Sequence, residues 1–284
     1  MALKIKLICD SLCDIPLEIQ NKEYVDVVPL TIMFNDKEYK DNVDISKEQY
    51  YEVLQNSKEI PKTSQATYIQ FQEIFNKYID EGYKIICING SSKSSGTHQS
   101  AMLARSDMGE KANDIYMFDT MSLSLGSGQF VIKACDLIEE GLSCEDIIKS
   151  LDDIRESVML FFAPNTLDYL KKSGRVSVAT AIIGNILHLV PIFSFPNGEA
   201  HLEDKVRGSK HLASKLVDMI IEKNEGNLED KIITIGYGAN LKDFEKLEKE
   251  VQKRIKAKKL LITRGGACIC SHTGPDILAI SCSN

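Results

Sequence analysis

Apolar and polar positions change period along this chain in blocks, and the blocks separate strands from helices. Lys84 to Ile88 is a short apolar run holding Ile85, Ile86 and Ile88, the pattern of a buried strand. Gly90 to Gly96 is almost all serine and glycine and extends neither neighbour. From Thr97 the chain turns to helix formers, Ala101 to Arg105 among them. Strand, Ser/Gly loop and helix start together make an arrangement in which N–H groups and hydroxyls converge on an anion. Ser91, Ser92, Ser94, Ser95 and Thr97 supply the hydroxyls, and a plain surface loop is the alternative.

The same reading covers the rest of the chain. Ala2 to Cys9 is a strand ending in Asp10-Ser11-Leu12-Cys13-Asp14, where open α/β sheets bind ligands. Asp14 otherwise caps the short helix begun by Pro16. Val25 to Phe34 and Lys37 to Tyr39 form a hairpin around Asn35-Asp36. Ser46 with Gln49, and Thr67 with Gln70, are capping boxes. Pro61 to Gln65 is a polar connector between those helices, and Phe71, Ile74, Phe75, Tyr78 and Ile79 give the second an apolar face. Asp114 to Phe118 is a strand, Ser122 to Gly128 a second Ser/Gly loop, and helices follow to Glu140 and from Ser143. Val158 to Ala163 is a strand, after which Asn165 caps a short helix ending at Gly174, with Lys171, Lys172 and Arg175 at its negative end. Leu189 to Phe195 turns back through Pro196-Asn197-Gly198-Glu199, and a helix occupies Ser209 to Lys223. Lys231 to Gly236, Leu241 to Ile255 and Lys259 to Thr263 form a strand–helix–strand unit. Ala267 to Cys270 is strand-like, and Ile277 to Ser281 is a last strand. Alternating strands and helices predict α/β architecture with mostly parallel sheets. A boundary near Glu156 divides the chain into two α/β domains, 1–156 and 157–284.

Composition narrows the function. The 284 residues are 43% hydrophobic and 26% charged, ordinary values for a globular protein. The net charge is −7, and no long basic run offers a nucleic-acid surface. Residues 181–195 are apolar but broken by Asn185, His188 and Pro191, and shorter than the roughly 20 residues of a spanning helix. Met1 to Lys6 lacks the build of a signal peptide, so a cytoplasmic protein is expected. The eight cysteines contain no C-x-x-C pair and read as buried free thiols.

Familiar motifs fail on detail. Five residues separate Gly90 from Gly96 and no lysine follows, which excludes a P-loop. Gly126-Ser127-Gly128 and Gly236-Tyr237-Gly238 each begin a dinucleotide fingerprint, but Val131 and Leu241 stand where its third glycine belongs. A serine hydrolase or acyltransferase using Ser95, His272 and Asp10 or Asp119 is one enzyme reading, without the G-x-S-x-G elbow that would support it. A sugar- or phosphate-binding regulator is another possibility.

Several segments taken in order carry a resemblance. They are Asp10-Ser11-x-x-Asp14, Thr63-Ser64-Gln65, Ser94-Ser95-Gly96-Thr97-x-Gln99-Ser100-Ala101, Asp119-Thr120 and Ser124-x-Gly126-x-Gly128. Tyr169 to Ser177, Lys205-Val206-Arg207-Gly208 and His272-Thr273-Gly274-Pro275 complete the set. The chain resembles the DegV family, fatty-acid-binding proteins that serve as acyl-carrying subunits of bacterial fatty acid kinase. Ser173 and Asp276 depart from the family pattern, Asp276 close to the expected head group. The resemblance implies a ligand cleft between the two domains, with a long-chain fatty acid as ligand and no catalytic residue, metal or cofactor in this chain. Thr63, Ser95 and Gly96 match carboxylate-binding positions, and His272 the histidine across the head group. Arg175 and Arg207 match arginines where a partner kinase, carrying ATP and Mg²⁺, would deliver a phosphoryl group. The product would be an acyl-phosphate feeding phospholipid synthesis.

Overall fold

The structure, a computed structural model, describes residues 4–57, 59–174 and 189–284. Its first sheet is parallel, with strands β1 (Ile5–Asp10), β2 (Val25–Val28), β6 (Lys84–Asn89) and β7 (Ile115–Asp119) in the order β2-β1-β6-β7. Successive side chains of a strand point to opposite faces, so apolar runs such as β1 and β6 bury both. Ile8, Ile85 and Cys87 pack under helices α3 (Tyr68–Asp80) and α4 (Thr97–Ser106). Leu7, Cys9, Ile86 and Ile88 pack under α5 (Ser124–Glu139) and α6 (Cys144–Asp153). Capping boxes at Ser46 and Thr67 open α2 (Lys47–Gln55) and α3 as expected.

A second sheet has the order β10-β9-β8-β13-β11-β12. Its strands are β8 (Met159–Pro164), β9 (Leu189–Ser194), β10 (His201–Arg207), β11 (Ile232–Tyr237), β12 (Lys259–Arg264) and β13 (Ile277–Ser283). Only β11 and β12 pair in parallel, so the α/β class holds while this sheet is mostly antiparallel. Helices α8 (Leu212–Lys223) and α9 (Leu241–Arg254) cover one face. The other faces α5, where buried Gln129 accepts from the Ser283 hydroxyl (2.8 Å) and donates to Thr234 (3.2 Å). Helix α5 is thus buried between two sheets, which explains its small residues: Gly126, Ser127 and Gly128 let backbones come close. Packing there overrides helix propensity, so the predicted Ser122–Gly128 loop is helical from Ser124.

Other differences have equally local causes. The run from Val25 to Phe34 is two strands: β2 joins the parallel sheet, while β3 (Thr31–Phe34) pairs with β4 (Lys37–Lys40) and β5 (Lys62–Ser64). The break falls at Pro29-Leu30, inside the short apolar stretch Val27–Leu30, where periodicity is silent. The β3–β4 turn holds Asn35 and Asp36 at φ 51° and 56°, the two positive values a tight hairpin demands. The connector Pro61–Gln65 contains β5, an edge strand, and edge strands tolerate polar residues. The short helix after β8 is α7 (Asp168–Ser173), and the hydroxyl of Thr166, not Asn165, accepts from its Asp168 N–H (3.2 Å). Ala267–Thr273 is a helix, α10, not a strand; nearly all of it is buried, so no polar stripe betrays its period. All eight cysteines are free and buried, as expected.

Candidate functional site

A cavity of about 390 Å³ lies where β8, α7 and α10 meet the loop after β6. Leu12, Leu30, Leu160, Phe162, Phe195 and Ile269 are among the nine large apolar side chains of its wall. Thr63, Gln65, Lys93, Ser95, Gly96 and His272 form its polar wall. All four residues assigned from the sequence to a carboxylate site therefore border one cavity.

The polar wall is built on a buried carboxylate. Asp10, at the end of β1, accepts from the N–H groups of Leu12 (2.8 Å) and Gly90 (3.1 Å) and from the Asn89 amide (3.1 Å). It thereby ties the ends of β1 and β6 together and fixes where the Gly90–Gly96 loop departs. Within that loop the N–H groups of Ser94 and Ser95 donate to the Ser91 carbonyl (3.1 Å each). The Ser95 hydroxyl pairs with Thr97 Oγ1 (2.9 Å) and accepts from the Thr97 N–H (3.3 Å) at the start of α4. Behind it, burial pulls the His98 pKa down, with Asp119 pulling the other way, and the ring bonds Asn89 at 3.1 Å.

His272 arrives from far along the chain. Its Nε2 is hydrogen-bonded to Thr63 Oγ1 at 2.7 Å, which joins α10 to edge strand β5. Two buried carboxylates hold the first turn of α10. Asp14 accepts from the Gly266 N–H (2.6 Å) and the Ser124 hydroxyl (2.6 Å), and Asp41 from the Cys268 N–H (3.1 Å). These bonds satisfy N–H groups that a helix start leaves open and suit its positive end. Asp14 is therefore a tie between segments and not the cap of the helix at Leu17 to Gln20, whose start has no side-chain cap. Tyr50 adds a bond from α2 to the Ser271 hydroxyl (2.8 Å).

Burial pushes Asp10 and Asp41 up to about 6 each, partly opposed by the N–H groups they accept from. Unfolded, both titrate near 4. Between those values the folded chain holds protons that the unfolded chain has lost, so these groups make stability fall as pH rises. Their contribution is fully present below about pH 4. Asp41→Asn should flatten the profile between pH 4 and 6 by up to about 3 kcal/mol, read by chemical denaturation at each pH. A profile parallel to that of the wild type would refute the assignment.

Arg207 and Asp276 stand outside this wall. Arg207 ends β10 and is exposed, away from the cavity wall. Arg175 lies outside the described residues. Asp276 borders a separate small cavity with Asn240 and Asp243, not the wall that holds His272. The hydrolase grouping does not assemble: Asp10 is committed to its own loop, and Asp119 accepts from the N–H groups of Ser92 (3.3 Å) and Met121 (3.0 Å). Among the described residues no hydrogen bond joins His272 to Ser95 or to either carboxylate. Sequence reasoning missed Gln65 and Lys93, although both sit inside motifs it had singled out. No described helix is long and apolar enough to cross a membrane.

An α/β frame holding an apolar cavity with hydroxyl groups on its wall has the build of a small-molecule pocket. The chain belongs to the DegV family: a family profile described as "uncharacterised protein, DegV family" matches residues 4–284. A DegV domain-containing protein of Clostridium acetobutylicum is 40% identical over 230 residues, covering 81% of this chain and 82% of that one. A fatty-acid-binding DegV family protein from Thermus thermophilus superposes with a TM-score of 0.91 at 27% identity, covering 99% of this chain and 100% of that one. A stearic-acid-binding protein from Eubacterium ventriosum superposes at 0.87 and 26%, covering 99% and 98%.

Proposed function

We propose that the protein binds one long-chain fatty acid and presents its carboxylate to a partner kinase for conversion to an acyl-phosphate that feeds phospholipid synthesis in the cytoplasm. The observation that carries the reading is the cavity itself, lined by nine large apolar side chains together with Thr63, Ser95, Gly96 and His272. Each buried CH₂ contributes about 0.8 kcal/mol, so an acyl chain gains affinity from such a wall. A carboxylate leaving water needs donors, and hydroxyls with an imidazole supply them. In this reading residues 1–156 hold the carboxylate, and residues 157–284 supply most of the acyl pocket and lend α10 to the first unit. The partner brings ATP and Mg²⁺, and Arg175 and Arg207 meet the phosphoryl group or the kinase surface. Exposed Arg207 suits that role, because a guanidinium forms two parallel bonds with a phosphate or carboxylate.

Mass spectrometry of the denatured protein should release one stoichiometric long-chain fatty acid. Apo protein that also fails to take up palmitate or oleate would refute the binding. With lipid occupancy measured on the same sample, Arg207→Ala should keep the lipid and slow kinase-dependent acyl-phosphate formation by more than about tenfold. Normal turnover, or loss of the lipid, would refute the role of Arg207.

A further inference from the structure

Among the described residues that line the cavity, Lys93 is the one lysine or arginine, and none is an aspartate or glutamate. It is exposed, and among the described residues no carboxylate pairs with it. Its place is held from two sides. The Lys93 N–H donates to Ser91 Oγ (3.2 Å), while Ser91 and Ser94 hydroxyls donate to the Gly198 carbonyl (3.2 and 3.4 Å). Gly198, at φ +82°, lies flat against this loop. A Cβ there would stand 2.7 Å from Ser91 Oγ, 3.1 Å from Met121 Cε and 3.2 Å from Lys93 Cδ. The turn after β9 thus backs the stem of an exposed lysine that lines the cavity, with no carboxylate paired to it among the described residues.

The remaining polar groups of the wall donate hydrogen bonds without bringing a fixed positive charge, and the whole chain carries −7. A chain of that sign repels an anionic ligand at long range. We infer that Lys93 is the specificity-determining residue that makes this cavity prefer a carboxylate head group over an uncharged one of the same chain length. Hydroxyl donors alone discriminate weakly between a carboxylate and an alcohol, since both accept hydrogen bonds. The ammonium adds attraction that only the anion feels. Because it is exposed, that attraction is screened by salt. The inference rests on the fatty-acid reading of the same cavity.

The test compares palmitate with 1-hexadecanol by displacement of a fluorescent fatty-acid probe from the full-length protein. In Lys93→Gln the preference for palmitate should fall about fivefold at low salt, the size expected of an exposed charge pair. The loss should shrink as salt rises toward about 1 M, where the screening length is about 3 Å. Lys93→Arg should restore the preference, and Lys93→Glu should lower it further. An unchanged preference in Lys93→Gln, with palmitate still bound, would overturn this inference alone. Absence of palmitate binding by the wild type would overturn the reading of the site and this inference with it.

Discussion

Gly238→Ala is expected to cost about 3 kcal/mol or more, the upper range for forcing extra volume into a packed site. A Cβ at Gly238 would stand 1.7 Å from the Pro275 carbonyl oxygen and 2.8 Å from its carbon, and these are backbone atoms that no rotamer change can remove. The same stretch is held by bonds from the Gly238 N–H to Ile277 O (3.0 Å) and from the Ala239 N–H to Pro275 O (2.7 Å). To admit a methyl group, residues 274–277 must move, and they connect α10 to β13. Urea denaturation reads the loss as a lower midpoint at unchanged slope. A wild-type midpoint would refute the close approach. Because His272 stands one turn before Pro275, ligand affinity should fall as well.

Asp14→Ala is expected to cost about 3–4 kcal/mol, from two lost bonds to a charged acceptor. Burial, the main cause, raises the Asp14 pKa, while Lys47, Ser124 and the Gly266 N–H lower it, so its bonds work against a desolvation cost. The alanine variant leaves the buried Gly266 N–H without an acceptor and frees the start of α10. Asp14→Asn keeps one acceptor and should lose about half as much. Asp14 does not line the cavity, yet fatty acid affinity should drop at least about tenfold in the alanine variant through the displaced His272. Full affinity in a folded Asp14→Ala protein would show that α10 is held by other means.

The legible parts of this fold were those whose signal is local. Capping boxes at Ser46 and Thr67 and the triple-isoleucine strand β6 each declare themselves within a few residues, and the structure has them. What escaped was decided by partners distant in sequence. Helix α10 looks like a strand because it is buried on nearly every side, and α5 begins in a Ser/Gly stretch because two sheets close on it. The parallel order expected of the second sheet was lost for a similar reason: β13 enters between β8 and β11 with the opposite direction. Thr63, Ser95, Gly96 and His272, singled out by the family resemblance, border one cavity, whereas its apolar wall carries no motif. Phe162 and Phe195 are ordinary core residues until the cavity is seen beside them.

Helix α10 and strand β13 follow every other described element in the chain, yet neither lies at an edge. One seats against α2, β3 and β5, and the other fills the middle of the second sheet. During synthesis, then, both halves wait for residues 267–283. Until these leave the ribosome, β8 and β11 present unpaired edges, and the cavity wall lacks Ile269, His272 and Ile277. Unpaired edges beside exposed apolar surface are the features that draw nascent chains into association with one another. The cavity wall and the central strand of the second sheet are therefore completed together, by the same stretch of chain.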